Sequence, residues 1–125
     1  MNVLKAIVLT IVLTSASLFA QDWAKTDPKM NNILVDTTLL RATECIIEPG
    51  QKSGVHTHPA AFFYALTDGK AKVYYTDGQV ETLELKAGDF GYGNPEKPHQ
   101  TENIGDKTLR FLLVELKEHP YKSDK

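Results

Sequence analysis

The sequence predicts an all-β domain, a sandwich or barrel of about eight short strands. Three observations lead there. Apolar and aromatic runs recur at roughly eight-to-twelve-residue spacing with Gly, Asp and Pro between them. Two of the breaks are Asp-Gly pairs, Asp68-Gly69 and Asp77-Gly78, and Asp-Gly is the dipeptide that two-residue hairpins favour. No stretch keeps a helical period.

Taken in order, residues 33–35 (ILV) and 37–40 (TTLL) look extended, and 41–47 (RATECII) alternates in part. Glu48-Pro49-Gly50 ends that run, because Pro and Gly punctuate strands. Residues 62–66 (FFYAL) form a short aromatic strand, and 71–75 (AKVYY) alternates between the two Asp-Gly turns. In that strand Tyr74 and Tyr75 take opposite faces, so only one faces inward. Residues 80–85 (VETLEL) alternate clearly, and Ala87-Gly88-Asp89 is a further turn. Residues 99–103 are a short strand, 104–107 (IGDK) turn back, and 108–116 (TLRFLLVEL) are the longest apolar strand.

Within this frame three histidines carry the chemistry. His56 and His58 are one residue apart, and His99 follows the turn-rich run GDFGYGNPEKP. On a strand, side chains at i and i+2 share a face. Two imidazoles can therefore aim at one point, and a later strand can bring the third to it. Imidazole is a common ligand of divalent transition metals, and three protein ligands leave coordination positions open for water or substrate. His119, beside Pro120 in the charged tail, reads as a solvated side chain.

Bulk properties narrow the function classes. Fourteen basic residues against sixteen acidic ones, with no basic run, argue against nucleic acid as a partner. The chain begins with one lysine, Lys5, then an apolar stretch to Ala20 before charge returns at Asp22. That is the layout of a secretory signal, with cleavage after Ala20 preferred and Ala16 or Ser17 as alternatives. The expectation is a periplasmic or secreted protein with no stable membrane insertion once residues 1–20 are removed. Removing 20 of the 125 residues leaves about 105, an ordinary size for one domain. Residues 21–32 read as an N-terminal arm that Trp23 could pin, 33–117 as the β domain, and 118–125 as a polar, frayed tail. Cys45 is the single cysteine, so no internal disulfide forms, and burial in the core is its expected fate.

These residues resemble the cupin superfamily. Its first motif runs Gly, five residues, His, one residue, His, three or four residues, Glu, six residues, Gly; here Gly50, His56, His58 and Gly69 match. Its second motif runs Gly, five residues, Pro, one residue, Gly, two residues, His, three residues, Asn; here Gly88, His99 and Asn103 match, while Asn94 and Glu96 stand at its Pro and Gly. The resemblance implies a small jelly-roll barrel, a double-stranded β-helix, with its site inside. It also implies metal binding by three histidines and a glutamate. That glutamate falls at Phe62, which cannot ligate.

Several expectations follow. By parity with His56 and His58, Phe62 and Tyr64 point inward and line the pocket. Tyr92 lines the barrel mouth, and Asn103 lines the pocket while fixing the loop after the third histidine. Glu48 is a supporting or surface residue rather than a ligand. The cofactor is a divalent transition metal, Fe, Zn, Cu, Ni or Mn, since ligand type alone does not choose among them. Three neutral imidazoles leave the ion its full charge, which favours a small anionic partner. Chemistry by analogy with three-histidine dioxygenases, or an isomerase, is the first reading. A non-catalytic small-ligand or metal-binding protein, or an interaction domain with a vestigial site, are the alternatives. Pairing into a homodimer is expected by analogy alone.

Overall fold

A computed structural model describes residues 22–124; the expected signal peptide lies outside them. The chain opens with a short helix, α1 (Trp23–Thr26), and a 3-10 turn at Pro28–Met30. Nine strands follow: β1 (Asn31–Asp36), β2 (Leu40–Ile47), β3 (His56–His58), β4 (Ala61–Ala65), β5 (Gly69–Tyr75), β6 (Val80–Leu85), β7 (Phe90–Gly93), β8 (Glu96–Asn103) and β9 (Leu109–Leu116). They form two antiparallel sheets, one ordered β1-β2-β9-β4-β7 and the other β3-β8-β5-β6. Consecutive strands β3 and β4 lie in different sheets, as do β6 and β7, β7 and β8, and β8 and β9. This crossing from sheet to sheet is the jelly-roll arrangement that the motifs implied.

Of the two Asp-Gly pairs expected to close hairpins, only Asp77-Gly78 does so, between β5 and β6; Asp68-Gly69 carries the chain from β4 to β5 in the other sheet, and Gly69 already begins that strand. Gly78 adopts φ +95° at the end of β5, and its N–H donates to the Tyr75 carbonyl at 3.0 Å. A side chain would be strained at that φ. The core between the sheets is made by Met30, Cys45, Ile47, Ala61, Ala71, Leu109 and Leu113, with Phe63, Leu85 and Phe111 packed on it. The Cys45 thiol is fully buried, and burial raises its pKa, so it stays protonated and packs as a small apolar group.

Three segments differ from the sequence expectation. Residues 37–39 are a turn rather than strand: the Thr37 hydroxyl oxygen accepts from the Leu39 and Leu40 N–H groups, each at 3.1 Å. The run expected to be all turn contains β7, where Gly91 lets the strand lie against Phe63; a Cβ there would sit 2.7 Å from the ring. The tail is not frayed over its first residues. The Ala60 N–H donates to the His119 carbonyl at 2.8 Å, and Tyr121 borders the interior cavity. His119 itself is exposed, as expected.

Asn103 holds the end of the barrel. Its fully buried amide donates to the carbonyls of Ile47 and Lys107, both at 2.8 Å, and its oxygen accepts from the Gly105 N–H at 2.9 Å. These bonds fasten the β8–β9 turn to the end of β2. Asn103→Ala strands those groups, and each unsatisfied buried group costs about 1–3 kcal/mol. We expect a loss of about 2–4 kcal/mol in urea unfolding, with metal content unchanged. A loss well under 1 kcal/mol would mean the turn is held by something else.

Candidate metal centre

The three histidines meet. The strand β3 consists of His56, Thr57 and His58, all buried, and it pairs with β8. His56 stands opposite His99, and His58 stands opposite Glu96. Between these pairs the single residue Thr57 on β3 faces two on β8, Lys97 and Pro98, which marks a β-bulge. The bulge takes in Lys97 and Pro98, so Pro98 sits where the ladder is already interrupted and its missing N–H costs nothing. The bulge also places Glu96 and His99, three apart in sequence, opposite residues two apart on β3, which share one face.

Each imidazole is held in one tautomer by its Nδ1. That atom of His56 faces the Gly54 carbonyl at 2.8 Å, that of His99 the Lys97 carbonyl at 2.7 Å, and that of His58 the Glu115 carboxylate at 2.9 Å. All three oxygens only accept, so each Nδ1 donates, and in the neutral ring each Nε2 carries a lone pair. One ring nitrogen from each histidine lies within 4.8 Å of the others. The His56 and His58 Nε2 atoms are 3.2 Å apart. Nitrogens bound side by side on one ion at about 2.0–2.1 Å stand roughly 3.0–3.4 Å apart. The His56–His58 pair therefore has the spacing of two nitrogens on one transition-metal ion, and His99 brings a third ring nitrogen within 4.8 Å of them.

The electrostatics disfavour protonation of His56 and His99. Burial, with His58 and His99 alongside, pushes His56 down to about 2. Burial also lowers His99, against the opposing pull of Glu96 and its bond to the Lys97 carbonyl. A neutral ring is the form that ligates.

Behind His58 lies a polar chain that the sequence reading missed. Glu115 of β9 is 5 % exposed. Besides His58 it accepts from Arg41 Nε at 3.0 Å and Nη2 at 2.9 Å, and Arg41 continues to Asp22 at 2.9 and 2.7 Å. Burial pushes the Glu115 carboxyl up, but the hydrogen bonds and charges of His58 and Arg41 outweigh it and hold the group below its ordinary value. The balance at Asp22 is similar: burial raises it, Arg41 lowers it further. One signal for Glu115 was available. In the run TLRFLLVEL it shares parity with Leu109, Phe111 and Leu113, a lone acid on the inward face of an apolar strand.

The N-terminal arm completes this wall, as the expectation for Trp23 had it. Trp23 is 4 % exposed and stacks on His56, ring centroids 4.6 Å apart and planes 9° from parallel. Its indole N–H has no acceptor among the described residues. The Asp27 carboxylate accepts from the Gly54 N–H at 2.8 Å, which ties the arm to the loop whose carbonyl orients His56.

The imidazoles of His58 and His99 open onto an interior cavity of about 680 Å³. Phe63, Phe111 and Leu113 form an apolar side, while Tyr75, Glu81 and Glu96 form a polar one. Phe62 and Tyr64 do not line it; they are 38 % and 39 % exposed on the outer face of the five-stranded sheet. Alternation holds only within one strand, and Pro59 and Ala60 carry the chain from β3 to a different sheet. Parity restarts there, and Phe63 takes the inward place. Tyr92 stands opposite Phe62 on that outer face and is 63 % exposed, touching only the rim of the cavity at the edge strand β7. Asn103 is buried but is spent on the β8–β9 turn and does not line the cavity. Of the tyrosine pair, Tyr75 faces inward. Glu48 is on the surface, accepting from the Thr108 hydroxyl at 2.6 Å.

Residues 43–115 match the family model for the cupin domain. The chain belongs to the cupin family. Among relatives of this cupin, an oxalate decarboxylase of Bacillus subtilis strain 168 is 30 % identical over 95 residues, covering 69 % of this chain but 25 % of that protein. An uncharacterized protein of Methanocaldococcus jannaschii is 33 % identical over 70 residues, covering 55 % of this chain and 54 % of that one. The chain thus spans a quarter to about half of the curated relatives it matches. A cupin domain from Bordetella pertussis superposes with a TM-score of 0.64 at 22 % identity, over 69 % of this chain and 90 % of that one, which shows the fold.

Glu115→Gln tests the polar chain. Removing one partner of a buried ion pair costs about 3–5 kcal/mol, and loss of a carboxylate behind a ligating histidine weakens metal binding about 10–100-fold. We expect both effects, read by denaturant unfolding and by competition with a chelator. Native metal affinity in this variant would show that His58 needs no such support.

Proposed function

We propose that this protein is an exported cupin that binds one divalent transition metal through His56, His58 and His99 and acts on a small organic acid at the ion's open positions. The observation that carries the reading is the convergence of three Nε2 lone pairs, each fixed by an oxygen at its Nδ1. Two such nitrogens at 3.2 Å repel each other unless positive charge lies between them. An ion in this place supplies Lewis acidity and, where it is redox-active, an electron path to a bound substrate.

The chain's own residues do the rest. Trp23 and Phe111 shield the rings from water on one side, and Glu115 keeps the His58 lone pair directed at the ion. The cavity of about 680 Å³ is within the usual range for small-molecule sites. Similarity to the B. subtilis oxalate decarboxylase, whose structural studies describe Mn(II) centres, supports manganese and a small carboxylate as the first pair to try. The apolar run before Asp22 supports export.

Elemental analysis of protein purified without added metal tests this reading. We expect about one ion per chain, lost in the His56→Ala, His58→Ala double variant. Native protein that holds no ion and takes up none of Mn, Fe, Co or Zn on titration would overturn it. Carbon dioxide release and oxygen uptake with a panel of small carboxylates then separate catalysis from simple binding.

The pH dependence has a definite sign. Free imidazole takes a proton below about 6.5, whereas His56 and His99 in the native site resist it. The unfolded chain therefore binds more protons than the native one below that pH, and stability falls as pH falls. The depressed Glu115 and Asp22 add to the same trend at lower pH. We expect metal retention at pH 7 and progressive release below about pH 6.5, together with a falling unfolding midpoint of the metal-free protein. Metal content that does not respond to acid would rule out imidazole ligation.

A further inference from the structure

The strand that carries His99 also brings a carboxylate into the cavity. Glu96 stands opposite His58 across the β3–β8 ladder, and its Oε2 lies 3.7 Å from His99 Nε2. Its other oxygen, Oε1, accepts from the Tyr75 hydroxyl at 2.7 Å. Burial, Glu96 and Glu81 all push the Tyr75 phenol up, so it keeps the proton it donates. Among the described residues Glu96 makes no salt bridge to a lysine or arginine, and the ring within reach of its carboxylate is the imidazole of His99. In the second cupin motif this position is the glycine, so the glutamate is an addition of this chain.

We propose that Glu96 is a fourth, carboxylate ligand of the ion, supplied from β8 in place of the motif glutamate that is absent at Phe62. The inference rests on the metal-binding reading above. Two atoms each about 2.0–2.2 Å from one ion can stand at most about 4.4 Å apart, and 3.7 Å meets this limit against His99. Oε2 lies outside the tighter cluster of three nitrogens, so ligation draws it inward by a side-chain torsion. The side chain is 37 % exposed and can turn without repacking the core. Tyr75 grips only Oε1 and leaves Oε2 free. Charge favours the same movement: three neutral imidazoles leave an ion at +2, and Glu96 is a carboxylate of the same cavity with no lysine or arginine partner. With Glu96 bound the site carries +1, which keeps its attraction for a small anion and weakens it relative to a bare three-histidine ion.

Cobalt(II) is the probe, because its visible absorption reports coordination number and donor type. Its affinity is measured by competition with a chromophoric chelator for native protein, Glu96→Gln, Glu96→Ala and Phe62→Glu. Glu96→Gln keeps an acceptor for Tyr75, and the unfolding midpoint of each metal-free variant checks the fold. Loss of even a supporting carboxylate costs about 10–100-fold in affinity, so we expect at least about tenfold weaker binding in both Glu96 variants and a changed cobalt spectrum. Phe62→Glu, on the outer face, should bind as the native protein does. Native affinity and an unchanged spectrum in Glu96→Ala would overturn the ligand assignment alone. Failure of the native protein to bind cobalt at all would overturn the metal reading, and this one with it.

Discussion

In their neutral rings the Nε2 atoms of His56 and His58, 3.2 Å apart, repel each other, and the rest of the domain is arranged to keep them there. Three separate segments impose this. The Gly54 loop orients His56, the Lys97 carbonyl orients His99 from its own strand, and β9 reaches across from the other sheet to orient His58. None of these oxygens can exchange its role, since a carbonyl or a carboxylate accepts and does not donate. A simple apolar core would have no need of three such constraints. Their combined effect is to aim lone pairs at one point before any ion arrives, which lowers the reorganisation that binding demands.

The same logic explains the buried charge. A carboxylate inside a barrel is costly, and a buried ion pair often stabilises no more than apolar residues would in its place. Glu115, Arg41 and Asp22 are therefore poor candidates for a purely stabilising device. Their geometry instead links the N-terminal arm to the ring of His58. Asp22 also caps α1, its carboxylate accepting from the Ala24 N–H at 3.0 Å. The helix that this cap begins places Trp23 flat on His56. Arm and site are thus one polar and aromatic assembly, and a change at either end is felt at the imidazoles.

Much of this was legible in the sequence, and the failures have physical causes. The HxH spacing gave the shared face of β3 directly, and Asp77-Gly78 gave the β5–β6 hairpin, because both depend on neighbours in sequence; Asp68-Gly69 misled, since the same dipeptide there joins strands of different sheets. Phe62 and Tyr64 were misplaced because a two-residue period was carried through Pro59, where the chain changes sheets. The strand β7 was hidden because glycines that normally signal a turn here serve close packing against Phe63. Glu115 and Arg41 were not found because their partnership spans the length of the domain, and no local pattern encodes it. Glu96 sat in plain view, but only the bulge, which sets Glu96 and His99 against two residues of one β3 face, gives its position meaning.

That bulge connects the metal site to the shape of the cavity. By skipping a register step at Lys97 and Pro98, β8 sets a histidine and a glutamate opposite His56 and His58, and Thr76 takes the Pro98 carbonyl at 3.1 Å. An ion held by the three histidines would sit against the four-stranded sheet, with Tyr75, Glu81 and Glu96 in the same cavity. The opposite wall, from β4 and β9, is Phe63, Phe111 and Leu113. The four-stranded sheet also lends Ala71, Val73, Leu83 and Leu85 to the lining, so hydrocarbon covers both walls and the polar groups gather near His99. In the function proposed above, that division suits an acid whose carboxylate turns to the metal while its remainder rests on apolar side chains. It disfavours molecules with polar groups at both ends, unless they are short enough to turn both toward β8.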